Sequence, residues 1–535
     1  MRLGSAGRVR RLTVVLAVLT MVGGAGTAWG AGPGPSTATP SMAGRIVPEP
    51  ATVVPSNATY RITPATWISA AGGRPRAIAE QLAGELRRST GYPLPVVGFG
   101  HGGITLRVAK RHDLGAEGYQ LDVGSRGVTI TADQPAGLFY GVQTLRQLLP
   151  AEADAAHRQP GPWTVPGGHI VDQPRFPYRG AMLDVSRHFF GVSTVEHYID
   201  EISAYKINYL HLHLSDDQGW RIAINGWPNL TAYGGSTEVG GGKGGYYTQA
   251  QYEQIVAYAA AHYVTIVPEI DGPGHTNAAL ASYAQLNCDD TAPPLYTGTD
   301  VGFSSLCVNK DVTYRFLQDV MTQLARLTPG PYLHVGGDEA HSTTAADYAT
   351  FEGKLLPIVS GVHKAAIGWH DIAQVNPPKF VVPEFWGTDT TDAATAAAAA
   401  RGNKVIMAPA NKAYLDMKYT PDTRLGQNWA AYIEVKDAYD WDPGNYLTGV
   451  TGKSVLGVEG PLWSETLVTT ANIEYMAFPR LPALAELGWS PESTHNWNSF
   501  RQRLGQQGPR WTVEGINFYA SPQVPWAPGT KGGVD

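Results

Sequence analysis

The sequence predicts a (β/α)8 barrel of the TIM type that is preceded by a small α/β domain. Two observations carry this prediction. From residue 178 onward, short apolar runs alternate with helical stretches, and eight such runs fall between residues 178 and 465. Nearly every run ends in acidic, basic or aromatic residues, and barrels of this type build their active sites at the carboxyl ends of their strands. A random arrangement would scatter these residues along the chain.

The eight runs are short enough to be buried parallel strands. They are YRGAMLDVSRH (178–188), INYLHLHLSDD (207–217), YVTIVPEIDGPGH (263–275), YLHVGGDE (332–339), AAIGWHD (365–371), FVVPEFWG (380–387), KVIMAP (404–409) and SVLGVEGPLWSE (454–465). The segments TVEHYIDEISAYK and TQAQYEQIVAYAAAH separate the earlier runs and have helical spacing. Strands that alternate with helices in this way favour a parallel sheet, and eight units favour its closure into a barrel.

Residues 45–174 show the mixed pattern of a small α/β domain. ITLRVAK reads as a strand, and YQLDV and VTITA alternate on either side of GSRG as the arms of a hairpin. AGLFYGVQTLRQLLP has the spacing of a helix that ends at Pro150. This domain contains no obvious chemistry, so the barrel is expected to carry the site.

The two ends of the chain are predicted to lie outside these domains. In residues 1–30, four arginines precede the apolar run LTVVLAVLTMV, which is too short to span a bilayer, and small residues lead to Gly30. This pattern predicts a signal peptide cleaved near residue 30, and hence secretion. Residues 31–44 are predicted to be a disordered linker rich in proline and small residues, the barrel domain to span 175–520, and a tail to span 521–535.

The charge balance argues against some classes of partner. The chain carries a formal charge of −6, and removal of the four arginines in residues 1–30 leaves −10. An acidic chain has no electrostatic footprint for nucleic acid, and no basic patch favours a membrane surface. We therefore expect neither partner, and we expect a monomer.

The chain has two cysteines, Cys288 and Cys307. In an exported chain two cysteines this close in sequence are predicted to form one disulfide that clamps a loop. Two free thiols are the alternative.

Two adjacent acids follow the fourth run, in YLHVGGDEAH (332–341). Neighbouring strand residues point to opposite faces, but Gly336 and Gly337 end this strand, and glycine admits backbone angles closed to other residues. Asp338 and Glu339 can therefore both turn into the barrel mouth. They are poorly placed to flank a glycosidic bond, because two-carboxylate glycosidases hold their groups about 5–9.5 Å apart across the anomeric carbon. One acid is then a proton donor, and the nucleophile comes from elsewhere, with the substrate as one candidate.

Several motifs together resemble one known family. HVGGDE, RGAMLDVSRHFF, LHLHLSDDQGWR, PEIDGPGHTNAAL and LWSE closely resemble those of family 20 glycoside hydrolases, the β-N-acetylhexosaminidases, and in particular secreted actinobacterial ones. The resemblance covers the small domain and the barrel. It implies exo-acting, retaining hydrolysis of terminal β-linked N-acetylglucosamine or N-acetylgalactosamine from oligosaccharides or glycoconjugates. It also implies a substrate-assisted route through an oxazolinium ion, with no cofactor and no metal.

The resemblance implies catalytic roles for particular residues. Glu339 is expected to protonate the leaving oxygen and then to activate water. Asp338 is expected to orient the 2-acetamido group of the sugar, and Tyr414 to hydrogen-bond its oxygen. Asp216 and His275 are expected to form a relay behind Glu339 that tunes its acidity.

The resemblance also implies a sugar-binding set around these residues. Its members are the pocket walls Trp369, Trp386 and Trp463, the hydroxyl-binding Arg187 and Glu465, Asp416 for the outer hydroxymethyl group, and Trp429 at the rim. Taken singly, core packing explains each tryptophan better than a sugar platform does. Their shared position at strand ends favours the pocket for the set, though less so for Trp429, which lies in a loop-like stretch.

Two other classes of protein are alternatives. His211 and His213 end a barrel strand as the first metal ligands of metal-dependent amidohydrolases do, because residues i and i+2 share a face. No strand-eight aspartate accompanies them in GVEGPLWSE. The second alternative is a catalytically silent sugar-binding protein, against which the retained carboxylate of Glu339 argues.

Overall fold

The computed structural model describes residues 41–535, with the exception of residues 101, 111 and 112. The predicted signal peptide and residues 31–40 of the predicted linker lie outside the described residues. The linker prediction is wrong for residues 41–44, because Met42 is fully buried in the core of the small domain. Its side chain fits there because Gly168 beside it has no Cβ, which would lie 2.4 Å from the Met42 sulfur.

The small domain is a seven-stranded mixed sheet with two helices packed on it. Its strands are β1 (Thr52–Arg61), β2 (Ile68–Ala70), β3 (Val96–Val97), β4 (Gly103–Val108), β5 (Tyr119–Gly124), β6 (Gly127–Ala132) and β7 (Thr164–Asp172), and its helices are α1 (Arg74–Thr90) and α2 (Pro135–Leu148). The sheet order is β1-β7-β5-β6-β4-β2-β3. The predicted hairpin is confirmed, because β5 and β6 pair antiparallel. The helix predicted before Pro150 is also confirmed as α2.

Eight parallel strands close into the predicted barrel, and each lies inside one of the eight apolar runs. They are β8 (Tyr178–Asp184), β9 (Tyr209–His213), β10 (Thr265–Glu269), β11 (Tyr332–His334), β12 (Ala365–Trp369), β13 (Val381–Phe385), β14 (Val405–Met407) and β15 (Val455–Gly460). Strand β15 pairs with β8 and closes the ring.

Helices surround the barrel and follow it. They are α3 (Val192–Ala204), α4 (Asn229–Ala232), α5 (Gln249–Ala261), α6 (Asn277–Ser282), α7 (Asp311–Leu327), α8 (Ala345–Gly361), α9 (Ala393–Arg401), α10 (Val435–Tyr439), α11 (Thr470–Ala477), α12 (Arg480–Trp489), α13 (Trp497–Gly505) and α14 (Gly508–Glu514). None of the helices in the described part of the chain has the length and apolar character that a membrane span requires.

The fifth barrel unit departs from regular strand–helix alternation. Between β12 and β13 the chain makes a short 3-10 helix, His370–Val375, in place of an α-helix. Asn376 then takes a left-handed conformation, and Pro377 and Pro378 follow. Proline removes a backbone donor and clashes with the preceding turn, so a longer helix cannot form here.

A buried ion pair joins the two domains at the amino-terminal end of the barrel. Lys206, which precedes β9, donates to Asp172 at the end of β7 at 3.0 Å and to the Tyr119 hydroxyl at 3.1 Å. Trp489 Nε1 donates to the same Asp172 oxygen at 3.0 Å. These contacts lie at the opposite end of the barrel from the site described below. The small domain therefore packs against the barrel away from the site.

The barrel interior changes character along its axis. Alternate strand residues point inward, and Tyr178 and Tyr209 stack at 4.3 Å near the amino-terminal end. Above them lie fully buried polar side chains, including His211, Glu269 and Glu459. A polar layer at this depth means that the site rests on charged groups instead of an apolar floor.

Candidate active site

The loop after strand β11 carries the two adjacent acids. Gly336 and Gly337 have φ angles of +69° and +105°. A Cβ on Gly336 would lie 1.7 Å from Asp271 Oδ1, so only glycine fits. Gly337 N donates to the same Asp271 oxygen at 3.0 Å. The glycine pair therefore ends strand alternation, as the sequence predicts, and Asp271 fixes the turn that presents Asp338 and Glu339.

Both acids approach one imidazole. His275 Nε2 lies 3.5 Å from Asp338 Oδ2 and 3.4 Å from Glu339 Oε2. Asp338 is buried, whereas the Glu339 side chain is 29% exposed. Because both carboxylates face the same nitrogen, they lie on one side of the pocket and are not arranged as an acid and a nucleophile that flank a bond. The geometry suits a proton donor next to an orienting group.

The environment of Asp338 favours its protonated form. Burial raises the pKa of Asp338 to about 7, and Glu339 adds to the rise, while His275 opposes it. An unfolded aspartate titrates near 3.9. Between about pH 4 and pH 7 the unfolded chain has therefore lost a proton that the folded chain keeps, so the free energy of unfolding falls as the pH rises through this window.

This linkage predicts that Asp338→Asn stabilises the protein at alkaline pH. The amide removes a carboxylate whose ionisation is disfavoured in the fold, so we expect Tm at pH 8 to rise by about 1–3 °C. At pH 3.5, where both states are protonated, the gain should vanish. Thermal unfolding at the two pH values measures the effect, with the exposed Asp422→Asn as the matched control. A Tm at pH 8 that is unchanged or lower would contradict the prediction.

Behind the acids, Asp216 connects the predicted relay. Its Oδ1 lies 3.2 Å from His275 Nδ1, and its Oδ2 lies 2.6 Å from His213 Nε2 and 2.9 Å from an Arg187 nitrogen. Burial alone would raise the pKa of Asp216, but Arg187 and His275 lower it well below its usual range. Burial lowers the pKa of His275, but Asp216 and Asp338 raise it well above its usual value. Asp216 is therefore an anion that holds a protonated His275 against Glu339.

Aromatic side chains wall the pocket beside the acids. The rings of Trp369 and Trp463 are 5.6 Å apart, and those of Tyr414 and Trp463 are 6.3 Å apart. Trp386 and Trp429 meet edge to face at 6.1 Å. Trp369 is fully buried, whereas Trp429 is 54% exposed. The structure therefore brings the four predicted tryptophans together with Tyr414, with Trp429 at the rim.

The far end of the pocket is polar. Arg187 lies over the Trp463 ring at 4.7 Å, and in the described chain one buried oxygen of Asp416 and one of Glu465 have no hydrogen-bond partner. Burial and the neighbouring Glu465 raise the pKa of Asp416 well above its usual value. Unpaired buried oxygens are costly unless a ligand satisfies them. Sugar hydroxyl groups are suitable donors.

The histidines of the metal alternative have other partners. His211 lies between Glu459 and Glu269, at 2.7 and 2.9 Å, and His213 lies between Glu269 and Asp216. All four ring nitrogens thus face carboxylates, and an imidazole needs an unprotonated nitrogen to bind a metal. His211 and His213 therefore pair with carboxylates inside the barrel.

Residues to which the sequence assigned no role also shape the site. Asp271 holds the catalytic turn, Tyr348 donates to the Gly337 carbonyl at 2.8 Å, and Asp371 accepts from Trp386 Nε1 at 3.1 Å. Asp271 follows the end of β10 and is among the strand-end residues that the sequence marks as candidate chemistry, without a particular role. Tyr348 lies inside helix α8, and nothing in the local sequence marks it.

The two cysteines are joined in the predicted disulfide. Cys288 and Cys307 are bonded and close the segment between α6 and α7. Within this segment Ser304 donates to Asp217, which also accepts from the Asn277 backbone N–H at 2.9 Å. Asp217 therefore caps the start of α6 and anchors the clamped loop.

Comparison with known proteins points in one direction. Two family profiles match, Glycosyl hydrolase family 20, catalytic domain, over residues 176–492, and Glycosyl hydrolase family 20, domain 2, over residues 43–173. A β-N-acetylhexosaminidase of Cellulomonas fimi is 39% identical over 496 residues, which cover 91% of this chain and 99% of that protein.

Solved structures similar to this chain come from the same family. The β-N-acetylhexosaminidase of Streptomyces coelicolor A3(2) is 57% identical, with a TM-score of 0.89 over 90% of this chain and 99% of that chain. The Streptomyces plicatus N-acetyl-β-hexosaminidase in complex with Thio-NAglucal is 58% identical, with a TM-score of 0.90 over 92% and 99%. A mutant of the S. plicatus enzyme in complex with its product GlcNAc is 58% identical, with a TM-score of 0.89 over 90% and 98%.

The barrel, with two adjacent acids at a strand end beside an aromatic pocket, and the matched relatives together define a glycoside hydrolase. The chain belongs to glycoside hydrolase family 20. This membership favours hydrolysis of sugars over both the metal-dependent amidohydrolase and the silent sugar-binding protein.

Proposed function

We propose that the protein is an exo-acting β-N-acetylhexosaminidase that removes terminal, non-reducing N-acetylglucosamine or N-acetylgalactosamine with retention of configuration. The observation that carries this proposal is the placement of Asp338 and Glu339 around one nitrogen of His275, beside a closed aromatic pocket. The S. plicatus relative that holds GlcNAc as product supports an N-acetylated sugar as the group bound.

The mechanism uses the substrate as its own nucleophile. Glu339 protonates the leaving oxygen while the acetamido oxygen of the sugar attacks C1. The ionised form of Asp338 accepts a hydrogen bond from the acetamido N–H, and its negative charge stabilises the positive charge that develops on the nitrogen. Tyr414 hydrogen-bonds the acetamido oxygen. Glu339 then takes a proton from a water molecule. This water attacks C1 from the face that the leaving group occupied, which opens the oxazolinium ion and retains the configuration. Attack by a held group is fast because effective molarities reach about 10⁵–10⁸ M.

The pocket supplies the binding that this step needs. Trp369, Trp386 and Trp463 enclose the acetamido group and exclude water, so that the internal nucleophile has no competitor. At the far end the unpaired oxygens of Asp416 and Glu465 accept from sugar hydroxyl groups. Arg187 donates to hydroxyl oxygens, and Trp429 contacts the leaving group at the rim.

A pocket closed by buried polar groups predicts exo cleavage. With a chito-oligosaccharide labelled at its reducing end, we expect single N-acetylglucosamine units to leave one at a time from the non-reducing end. Mass spectrometry of early products measures this order. An oligosaccharide reduced at its reducing end serves as the control, because it should be cleaved equally well. Early release of disaccharides or of internal fragments would contradict an exo mode.

We propose that the protein is secreted and acts on chitin fragments or glycoconjugates as a monomer. The arginine-rich apolar segment of residues 1–30 and the Cys288–Cys307 disulfide support export. Expression of the full chain in a secreting host should yield a mature protein that begins near residue 31. Amino-terminal sequencing of the medium fraction tests this expectation, and an uncleaved intracellular product would overturn it.

A further inference from the structure

One buried carboxylate contacts both functional parts of the site. Glu269, the last residue of β10, is fully buried in the barrel. Its Oε1 accepts a hydrogen bond from Trp369 Nε1 at 3.0 Å. Its Oε2 bonds to His211 Nε2 at 2.9 Å and to His213 Nδ1. Oε1 also lies 3.0 Å from His334 Nδ1 on β11. One oxygen therefore faces strands β11 and β12, and the other faces strand β9.

Through Oε1, Glu269 sets the position of a pocket wall. Trp369 is fully buried, and its ring lies 5.6 Å from that of Trp463. The hydrogen bond to Glu269 fixes the rotation of the indole within its plane. A small rotation of this ring would change the space that the acetamido group occupies.

Through Oε2, Glu269 begins a series of contacts that reaches the proton donor. His213 Nε2 lies 2.6 Å from Asp216 Oδ2, Asp216 Oδ1 lies 3.2 Å from His275 Nδ1, and His275 Nε2 lies 3.4 Å from Glu339 Oε2. In this series acids and imidazoles alternate. Each interior group is buried, so water cannot substitute for a missing partner.

The charges in the series depend on Glu269. Both nitrogens of His213 face carboxylates, so the ring is stable there only with both protons. Burial lowers the pKa of His213, but Glu269 and Asp216 raise it well above its usual value. Burial alone would raise the pKa of Glu269, but His213, His334 and His211 hold it well below its usual range. An ionised Glu269 thus keeps His213 cationic beside Asp216.

We propose that Glu269 is a positioning residue that couples the acetamido pocket to the proton donor, by fixing Trp369 through one oxygen and the His213–Asp216–His275 series through the other. This inference rests on the proposed hexosaminidase function. It assigns Glu269 no contact with the substrate. Loss of Glu269 should therefore weaken two measurable steps to different extents, namely acetamido binding and leaving-group protonation. A general loosening of the barrel would weaken both steps alike.

The test is Glu269→Gln, which keeps the shape and removes the charge. With an unactivated phenyl N-acetylglucosaminide, kcat/KM should fall about 100-fold, as expected for a misplaced catalytic group. With a dinitrophenyl leaving group, which departs without a proton, the loss should be only about 10-fold and should reflect the pocket wall. Binding of a thiazoline that mimics the oxazolinium ion should weaken by about the same 10-fold.

Glu384→Gln is the matched control. Glu384 is also fully buried on a barrel strand, and in the described chain neither of its oxygens makes a hydrogen bond, although its Oε2 lies 3.6 Å from His334 Nε2. Burial and Glu459 raise its pKa well above the usual value, so the carboxyl is neutral and glutamine is a close substitute. We expect its kcat/KM to stay within about threefold of wild type for both substrates.

Two single-branch variants keep the proposal testable if Glu269→Gln fails to fold. His213→Gln should enlarge the difference between the two leaving groups, and Trp369→Phe should weaken thiazoline binding without changing that difference. Equal losses for both leaving groups in Glu269→Gln or in His213→Gln would overturn the coupling, and so would a Trp369→Phe variant that binds the thiazoline as tightly as wild type. Failure of wild type to cleave either substrate would refute the proposed function instead, which separates the two claims.

Discussion

An aryl β-glucoside should be cleaved about 10⁵-fold more slowly than the matched aryl β-N-acetylglucosaminide, the two differing only at C2. The reason is the placement of the acids. Asp338 and Glu339 share one side of the pocket, around His275 Nε2. These two acids are therefore not placed across the anomeric carbon from each other, and in the proposed mechanism the 2-acetamido oxygen attacks that carbon instead. The two kcat/KM values, measured by release of the aryl alcohol, give the ratio directly.

A graded series controls for simple loss of binding. Replacing the acetyl hydrogens by one, two and three fluorines withdraws electrons from the acetamido oxygen with little change in size. If this oxygen is the nucleophile, kcat should fall steeply along the series while KM changes little. Comparable turnover of glucoside and N-acetylglucosaminide, or a flat fluorine series, would refute substrate assistance.

Glu339→Gln should lower kcat for an unactivated aryl N-acetylglucosaminide by about 10³–10⁴-fold, since glutamine cannot donate a proton to the leaving oxygen. Affinity for N-acetylglucosamine should change little, because Glu339 lies at the more exposed edge of the site. The loss should shrink with a dinitrophenyl leaving group. Added azide should speed opening of the intermediate, because it needs no general base.

Glu352→Gln is the matched control for this change. Glu352 is buried in helix α8, below the same catalytic loop, and burial raises its pKa to about 8. At neutral pH it is mostly protonated, so glutamine preserves its charge, and activity should remain within a few-fold of wild type. If Glu339→Gln retains activity comparable to that of Glu352→Gln, Glu339 is not the proton donor.

Much of the fold was predictable because its signals are local. Strands β8 to β15 lie in the eight apolar runs, since a strand buried inside a barrel needs continuous apolar sequence. The end of strand β11 before Asp338 was predictable for a similar reason, because a turn with positive φ angles needs glycine. Residues 41–44 were misjudged because their composition resembles a linker, whereas the burial of Met42 depends on a partner at Gly168.

For the site, too, local features were predictable from the sequence and long-range contacts were not. By itself the sequence determined the barrel, the adjacent acids and the residues that end each strand. These features depend on hydrophobic periodicity, strand length and turn residues, which are all properties of consecutive residues. Only the tertiary structure decided that Glu269 joins Trp369, 100 residues away, to the series that ends at Glu339. Barrel closure brings such distant residues within hydrogen-bond distance, and no local pattern marks a contact that depends on which strands become neighbours.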